Sequence, residues 1–159
     1  MGTILWFVLV VGLFSVLIPW WLTGWRLRDL GPWWLPVRVF GVLLIVVGGA
    51  AILHAFARFA VEGLGTPSPV APPERLVVGG LYRHVRNPMY VATSAVLIGQ
   101  ALLFGQMILL WYAAAFALVT VSFVRYYEEP TLRRRFGADY EAYRRAVPGW
   151  WPRLRPWRP

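Results

Sequence analysis

Apolar residues in this chain fall into four long runs, which cover residues 3–22, 39–60, 88–105 and 106–124. About 20 helical residues cross the hydrocarbon core of a bilayer, so each run is long enough for one transmembrane helix. The last two runs meet at a short Gly-Gln turn, which predicts a tight helical hairpin. The pattern therefore predicts an all-α fold: an integral membrane bundle of about four transmembrane helices, in one domain over residues 1–159.

In the segment after the fourth run, apolar residues are no longer continuous but recur at helical spacing. Its apolar positions share one face and its arginines the other: Leu132, Phe136, Tyr140, Tyr143 and Val147 against Arg133, Arg134, Arg144 and Arg145. This pattern predicts a C-terminal amphipathic helix lying on the membrane interface. A plain anchor with solvated charges is one interpretation, but such an anchor gains nothing from the adjacent carboxylates Glu128 and Glu129.

Composition agrees with a membrane location, since 58% of the residues are hydrophobic and 14% are charged, where a soluble domain carries about a quarter charged residues. The absence of cysteine excludes disulfides, thiolate metal sites and a cysteine nucleophile. The net charge of +9 comes from 16 basic residues, all of them arginine. Anionic lipid headgroups suit such a charge, so membrane lipids are expected partners and nucleic acid is not.

Arginine counts also predict the topology. With four spans, the termini and the 61–87 loop share one side, which carries Arg75, Arg83, Arg86 and the nine arginines from Arg125 to Arg158. The other side carries Arg26, Arg28 and Arg38. The positive-inside rule then predicts a multi-pass protein with both termini in the cytoplasm, in the plasma membrane if the source is bacterial.

Two polar clusters lie at span ends on that predicted cytoplasmic side. The first is Gly80–Tyr90, and the second runs from Arg125 through Glu128 and Glu129 to Pro130. Ionisable groups near bilayer depth are costly, so both clusters are functional candidates that could build one site. Helical spacing places Arg125 on the same helical face as both carboxylates, which follow it by three and four residues. Pro130 disfavours the α conformation at Glu129, which predicts a bend or a helix restart there.

The 61–79 segment contains four prolines and predicts a loop, either a connector or a lid over a pocket. Gly80 permits a tight turn or a close approach of the backbone to a ligand. Asn87 and Pro88 predict the start of the third helix, because asparagine is a good N-cap and proline suits the first turn.

His54, Arg58 and Glu62 share one face of the second predicted helix. They line either a cavity, as substrate-contacting candidates, or a local ladder of ion pairs. Only His54 and His84 are available as histidines, so no metal site is expected. The chain has no phosphate-binding glycine loop and no nucleophile elbow, which excludes the soluble nucleotide-binding folds.

Three blocks in order resemble the isoprenylcysteine carboxyl methyltransferase superfamily, whose relatives include phospholipid N-methyltransferases. They read Gly-x-Tyr-x-x-Val-Arg-Asn-Pro-Met-Tyr from Gly80, Glu-Glu-x-x-Leu from Glu128, and Phe-Gly-x-x-Tyr-x-x-Tyr-x-x-x-Val-Pro from Phe136. The resemblance covers about residues 63–152. It implies an integral membrane methyltransferase that binds S-adenosylmethionine on the cytoplasmic side and takes a lipophilic acceptor from the bilayer.

The resemblance also implies roles for individual residues. Those expected to shape the cofactor pocket are Gly80, Tyr82, Arg86, Asn87, Pro88, Tyr90 and Glu128. Those expected to act on the reactants are Arg86, Arg125, Glu128 and Glu129. A carboxylate acceptor needs a cation to orient it, which Arg86 or Arg125 could supply. An amine acceptor must lose a proton, which Glu128 or Glu129 could take.

The departures from the family pattern leave the acceptor open. Position 87 is asparagine where many carboxyl methyltransferases have histidine, and this is similar to the phospholipid-modifying branch. The Gly-x-Gly of that branch has no counterpart near His54, where Gly48-Gly49 is the nearest small pair and suits helix packing. Two alternatives remain: a nicotinamide-dependent membrane reductase of related architecture, and a non-catalytic membrane scaffold or small transporter.

Overall fold

The computed structural model describes residues 9–62 and 75–158, and it contains five α-helices and no strand within those ranges. Helix α1 spans Leu9–Thr23, α2 Leu35–Glu62, α3 Pro88–Phe104, α4 Met107–Phe123 and α5 Glu129–Ala146. Short 3-10 turns at Pro32–Trp34 and Gly80–Arg83 precede α2 and α3. The all-α prediction is confirmed for these residues, whereas the prolines of the predicted loop lie outside them.

Two helical stretches are long and apolar enough to cross a bilayer: Pro32–Arg58, and Met107–Ala146, which includes α4. The other two predicted spans are the shorter apolar helices α1 and α3. Helix α3 has 17 residues, or about 26 Å at the helical rise, close to the roughly 30 Å of the hydrocarbon core. Four helices thus match the predicted spans, while the number of crossings and the orientation stay predictions.

The residues divide into two compact units, one from Met1–Ala50 with Ala92–Ala117 and one from Ala51–Val91 with Leu118–Pro159. In the first unit, α2 and α3 touch through their backbones. A Cβ on Gly99 would lie 2.6 Å from the Gly41 carbonyl oxygen, and a Cβ on Gly48 would lie 2.9 Å from the Ala92 carbonyl oxygen. Small residues permit this close packing without a large apolar gain. Gly48 therefore packs helices, as the sequence suggested.

Each of the two π-helical turns among the described residues precedes a proline. A π-helical turn at Leu13–Leu17 comes two residues before Pro19, and another at Val124–Glu128 comes two residues before Pro130. Proline cannot donate the backbone hydrogen bond to the residue four positions earlier, and a widened turn accommodates that loss. Near Pro19, the freed carbonyl of Ser15 accepts a 2.7 Å hydrogen bond from the Gln100 side chain.

The predicted restart at Pro130 is confirmed, since α5 begins at Glu129 after the π-helical turn. The predicted loss of α conformation at Glu129 is wrong, because its φ of −60° and ψ of −47° are helical. The π-helical turn absorbs the missing hydrogen bond upstream of the proline, so the residue before it keeps helical angles.

Helix α5 is amphipathic as predicted, but its apolar face packs on the protein itself. Tyr140, Tyr143 and Val147 are buried against Leu76 and Val78 of the second unit. The helix breaks at Gly137, whose φ of 50° and ψ of −121° suit glycine alone. The apolar face of the second half of α5 is therefore covered by this unit, and the position of the helix at the membrane interface stays a prediction.

Candidate functional site

The residues that follow α5, from Val147 to Arg158, form a C-terminal tail. This tail holds the first polar cluster of the sequence in place. Backbone amides of Arg86 and Asn87 donate to the carbonyls of Pro148 and Gly149 at 2.9 and 3.2 Å. Farther along, the amide of Arg153 donates to the His84 carbonyl at 2.9 Å. These hydrogen bonds satisfy the backbone of a segment that belongs to no helix or strand. The tail thus positions the motif that leads into α3.

Arg86 joins the two polar clusters. Its Nη1 donates to Glu129 Oε1 at 2.7 Å and to the Tyr140 hydroxyl at 2.9 Å. The side chains of the ion pair are 13% and 20% exposed, so the pair is substantially desolvated and each charge depends on the other. The Nε of Arg86 is buried and has no partner among the described residues. A buried donor of this kind can donate a hydrogen bond to a ligand oxygen.

The second carboxylate, Glu128, lies beyond the end of α4 and accepts a 3.3 Å hydrogen bond from the Tyr90 hydroxyl. Burial raises the pKa of Glu128 from 4.5 to about 7. The Tyr90 hydrogen bond and the Arg86 charge lower that pKa, and the neighbouring Glu129 charge raises it, but burial dominates. Glu128 can therefore gain or lose a proton near neutral pH.

A cavity of about 490 Å³ opens beside this pair of carboxylates, within the roughly 300–1,000 Å³ typical of small-molecule sites. It is lined by Arg86, Val121, Val124, Arg125, Glu129, Pro130, Arg133, Arg144 and Trp150. Six of these residues follow one another along the helical stretch from α4 into α5. The lining is apolar at the α4 end and cationic toward α5.

The arginines of the cavity are held differently. Glu141 pairs with the Nε atoms of Arg133 and Arg144, at 2.9 and 3.3 Å. Arg125 also lines the cavity. It makes no ion pair with either neighbouring carboxylate in the part of the chain that is described, because Glu129 pairs with Arg86 instead. That Arg125 shares a helical face with both carboxylates stays a prediction.

Other predicted site residues lie away from the cavity lining. Tyr82 is buried in an apolar cluster with Ala55 and Val77, and its carbonyl accepts a 2.6 Å hydrogen bond from the Tyr143 hydroxyl. His54 and Arg58 lie together over Gly80, where a Cβ would be 2.6 Å from the His54 Nε2. The side chain of Glu62 is outside the description.

At the start of α3, Pro88 is the first helical residue as predicted, and the Asn87 carbonyl accepts the Val91 amide. The Asn87 side-chain amide donates to the Gly149 carbonyl at 3.1 Å. Asn87 therefore ties the tail to the helix start. The structure brings together Arg86, Tyr90, Arg125, Glu128 and Glu129, and it places Gly80, Tyr82, His54 and Arg58 in a neighbouring layer of the same unit.

Several contributors to the site were not assigned to it from the sequence, among them Arg133, Arg144, Tyr140, Glu141, Gly149 and Trp150. Trp150 lines the cavity and lies against Tyr90, with ring centroids 6.4 Å apart. A Cβ on Gly149 would be 3.1 Å from the Arg86 Nη2, so glycine permits the approach of that guanidinium. The sequence marks this stretch only by its Gly-Trp-Trp run at residues 149–151. That run has no helical or strand period that would predict its place at the site.

The fold and the site define a class: an all-helical protein with apolar helices of membrane-spanning length and a carboxylate–arginine cavity where one of them ends. Comparison with known families identifies the family within this class. Residues 36–139 match the family described as phospholipid methyltransferase. Because the match covers more than half of the chain, the protein belongs to this family, and membership implies a membrane methyltransferase. No curated protein and no solved structure matched the chain.

Proposed function

We propose that this protein transfers a methyl group from S-adenosylmethionine to the amine of a lipophilic, phospholipid-like acceptor at the cytoplasmic face of the membrane. The observation that carries the proposal is Glu128, a carboxylate with a pKa raised to about 7 next to the cavity-lining Glu129. An amine must be deprotonated before it attacks a methyl group. A base whose pKa lies near the working pH is best suited to that task.

The residues of the cavity fit S-adenosylmethionine. The unpartnered Nε of Arg86 offers a donor to a carboxylate, and Trp150 offers an aromatic surface to a purine. Glu129 offers acceptor oxygens to an ammonium or to ribose hydroxyls. When bound, this cofactor supplies an electrophilic methyl group on a sulfonium.

The chain's own residues would then act by position and by proton transfer. Arg86, fixed by Glu129 and Tyr140, holds the anionic end of the cofactor, so that donor and acceptor keep one geometry. Glu128 takes up the proton that the acceptor amine releases. The hydrogen bond from Tyr90 fixes the orientation of that carboxylate.

An amine acceptor is supported over a carboxylate acceptor by two features. The family match is to phospholipid methyltransferases, and methylation of a carboxylate needs no base, which would leave Glu128 without a task. The apolar end of the cavity, at Val121 and Val124, suits access of an acceptor from the bilayer.

The direct test uses protein reconstituted in nanodiscs with radiolabelled methyl donor. We expect label in the lipid fraction when an aminophospholipid is present and none when the only lipid is phosphatidylcholine, which has no free amine position. A matched preparation of Glu128→Gln should bind the methyl donor and transfer little label. Equal labelling by that variant would contradict the assignment of Glu128, and label confined to protein would contradict the acceptor.

A further inference from the structure

The cavity contains more positive charge than methyl transfer requires. Arg86 is already paired with Glu129, yet Arg125, Arg133 and Arg144 line the same space. Arg133 and Arg144 use their Nε atoms on Glu141. Their terminal amino groups have no partner among the residues described. Three guanidiniums therefore present unused donors to one cavity.

Glu141 fixes two of these donors in place. A carboxylate that accepts from the Nε of two arginines restricts both side chains, while their terminal amino groups remain available. Guanidinium groups bind phosphate and carboxylate oxygens through paired donors, so fixing them in advance reduces the entropy lost on binding. Arg144 and Glu141 lie beyond the residues 36–139 that match the family.

The cavity lining changes from apolar to cationic along the helical stretch that runs from α4 into α5. Val121 and Val124 are apolar, Arg125 follows at once, and Arg133 lies two turns later. A ligand that matches this lining has an apolar part beside the valines and an anionic part beside the arginines. The phosphate group of a membrane lipid has this arrangement, with its acyl chains on the apolar side.

We propose that Arg125, Arg133 and Arg144 form an anion subsite for the phosphate of an amphiphilic acceptor, with Glu141 as the positioning residue. This proposal rests on the proposed function. The subsite would hold the headgroup of the acceptor, while Arg86 would hold the carboxylate of the cofactor. The same oxyanion chemistry could come from the cofactor carboxylate, and the experiment separates the two sources.

The test measures binding without turnover, using full-length protein in neutral detergent. The probes are dihexanoylphosphatidic acid, dihexanoylglycerol as its phosphate-free match, and S-adenosylmethionine. The double variant Arg133→Gln/Arg144→Gln is compared with Arg134→Gln/Arg145→Gln, which removes the same charge from exposed positions of the same helix outside the cavity.

We expect the cavity variant to bind dihexanoylphosphatidic acid about tenfold or more weakly, because charge-assisted hydrogen bonds are lost. The control variant should bind it normally, and S-adenosylmethionine should bind both variants equally. Equal weakening in both variants would overturn the subsite in favour of diffuse charge. Weaker binding of S-adenosylmethionine alone would assign these arginines to the cofactor. If the unaltered protein transfers no methyl group in the nanodisc assay and still binds dihexanoylphosphatidic acid through these arginines, the proposed function is contradicted and the subsite stands.

Glu141→Gln tests the positioning role separately. This variant makes the protein more positive, so simple attraction predicts tighter binding of dihexanoylphosphatidic acid. Loss of the fixed geometry predicts weaker binding, by about threefold or more, with kcat for methyl transfer nearly unchanged and KM for the acceptor raised. Tighter binding would overturn the role of Glu141.

Discussion

Arg86 and Glu129 lie 43 residues apart in the chain and are joined by an ion pair of 2.7 Å. One precedes α3, and the other is the first residue of α5. Both side chains are mostly shielded from water, so neither charge is stable there alone. The pair therefore connects the two polar clusters, and both of its members line the cavity.

Breaking this pair should abolish methyl transfer and leave the protein folded. In Arg86→Ala the Glu129 charge loses its partner, which we expect to cost about 2 kcal/mol or more, less than for a fully buried pair. Glu129→Gln keeps the shape and should cost less. Thermal unfolding in detergent and methyl incorporation measure the two effects. Arg134→Ala, at an exposed position, is the matched control, and normal turnover in both site variants would refute the assignment.

Glu128 should make both stability and activity depend on pH. Its pKa rises from 4.5 to about 7 on folding, so between these values the folded state binds more protons than the unfolded state. Stability from this group is fully present below about pH 4.5, falls as the pH rises, and levels off above about pH 7. Activity should rise over the same upper range as the base loses its proton. The difference between wild type and Glu128→Gln isolates the effect, and identical pH profiles would contradict it.

Tyr140→Phe should impair activity more than Tyr143→Phe. Both tyrosines are buried and each loses one hydroxyl, which costs about 1–2 kcal/mol of stability in either case. Only the Tyr140 hydroxyl touches Arg86, whereas that of Tyr143 donates to the Tyr82 carbonyl. We therefore expect similar unfolding midpoints but weaker cofactor binding in Tyr140→Phe alone. Equal losses of binding would mean that Tyr140 acts through packing.

Two glycine-to-alanine changes should differ in their effect on stability. In Gly99→Ala the new Cβ would lie 2.6 Å from the Gly41 carbonyl oxygen, so α2 and α3 must separate. In Gly49→Ala the new Cβ meets nothing within 4 Å, and alanine is the better helix former by about 1 kcal/mol. Thermal unfolding of the two variants in one detergent should show a loss for the first and no loss for the second. A similar effect in both would contradict the close contact.

The helices were predictable because they depend on local patterns. The span predicted at 88–105 is Pro88–Phe104, and that at 106–124 is Met107–Phe123. The length of the hydrophobic run predicted both helices, and the Asn87-Pro88 signal also predicted where α3 begins. The site was only partly predictable. Local spacing placed Arg125 on the face of the carboxylates, and it could not show that the fold brings Arg86 to Glu129.

The role of the tail could not be predicted from the sequence. It holds Arg86 and Asn87 by backbone hydrogen bonds, and backbone groups leave no pattern in the side chains. For the same reason Gly149 and Trp150 went unrecognised as neighbours of the motif. The apolar positions of α5 were identified correctly, but periodicity cannot tell whether such a face meets lipid or protein.

Gly80→Ala should destabilise the turn that leads into the motif, and removal of a neighbour should partly restore it. Gly80 has a φ of 55°, which costs a side-chain-bearing residue about 1 kcal/mol. Its new Cβ would also lie 2.6 Å from the His54 Nε2. His54→Ala removes the shortest of these contacts but leaves the Arg58 Cγ at 3.0 Å and the conformational cost, so the double variant should recover part of the lost stability. Thermal unfolding of both single variants and the double completes a mutant cycle. Additive losses would show that the His54 side chain moves aside at no cost and that the requirement for glycine comes from the backbone conformation and the Arg58 contact.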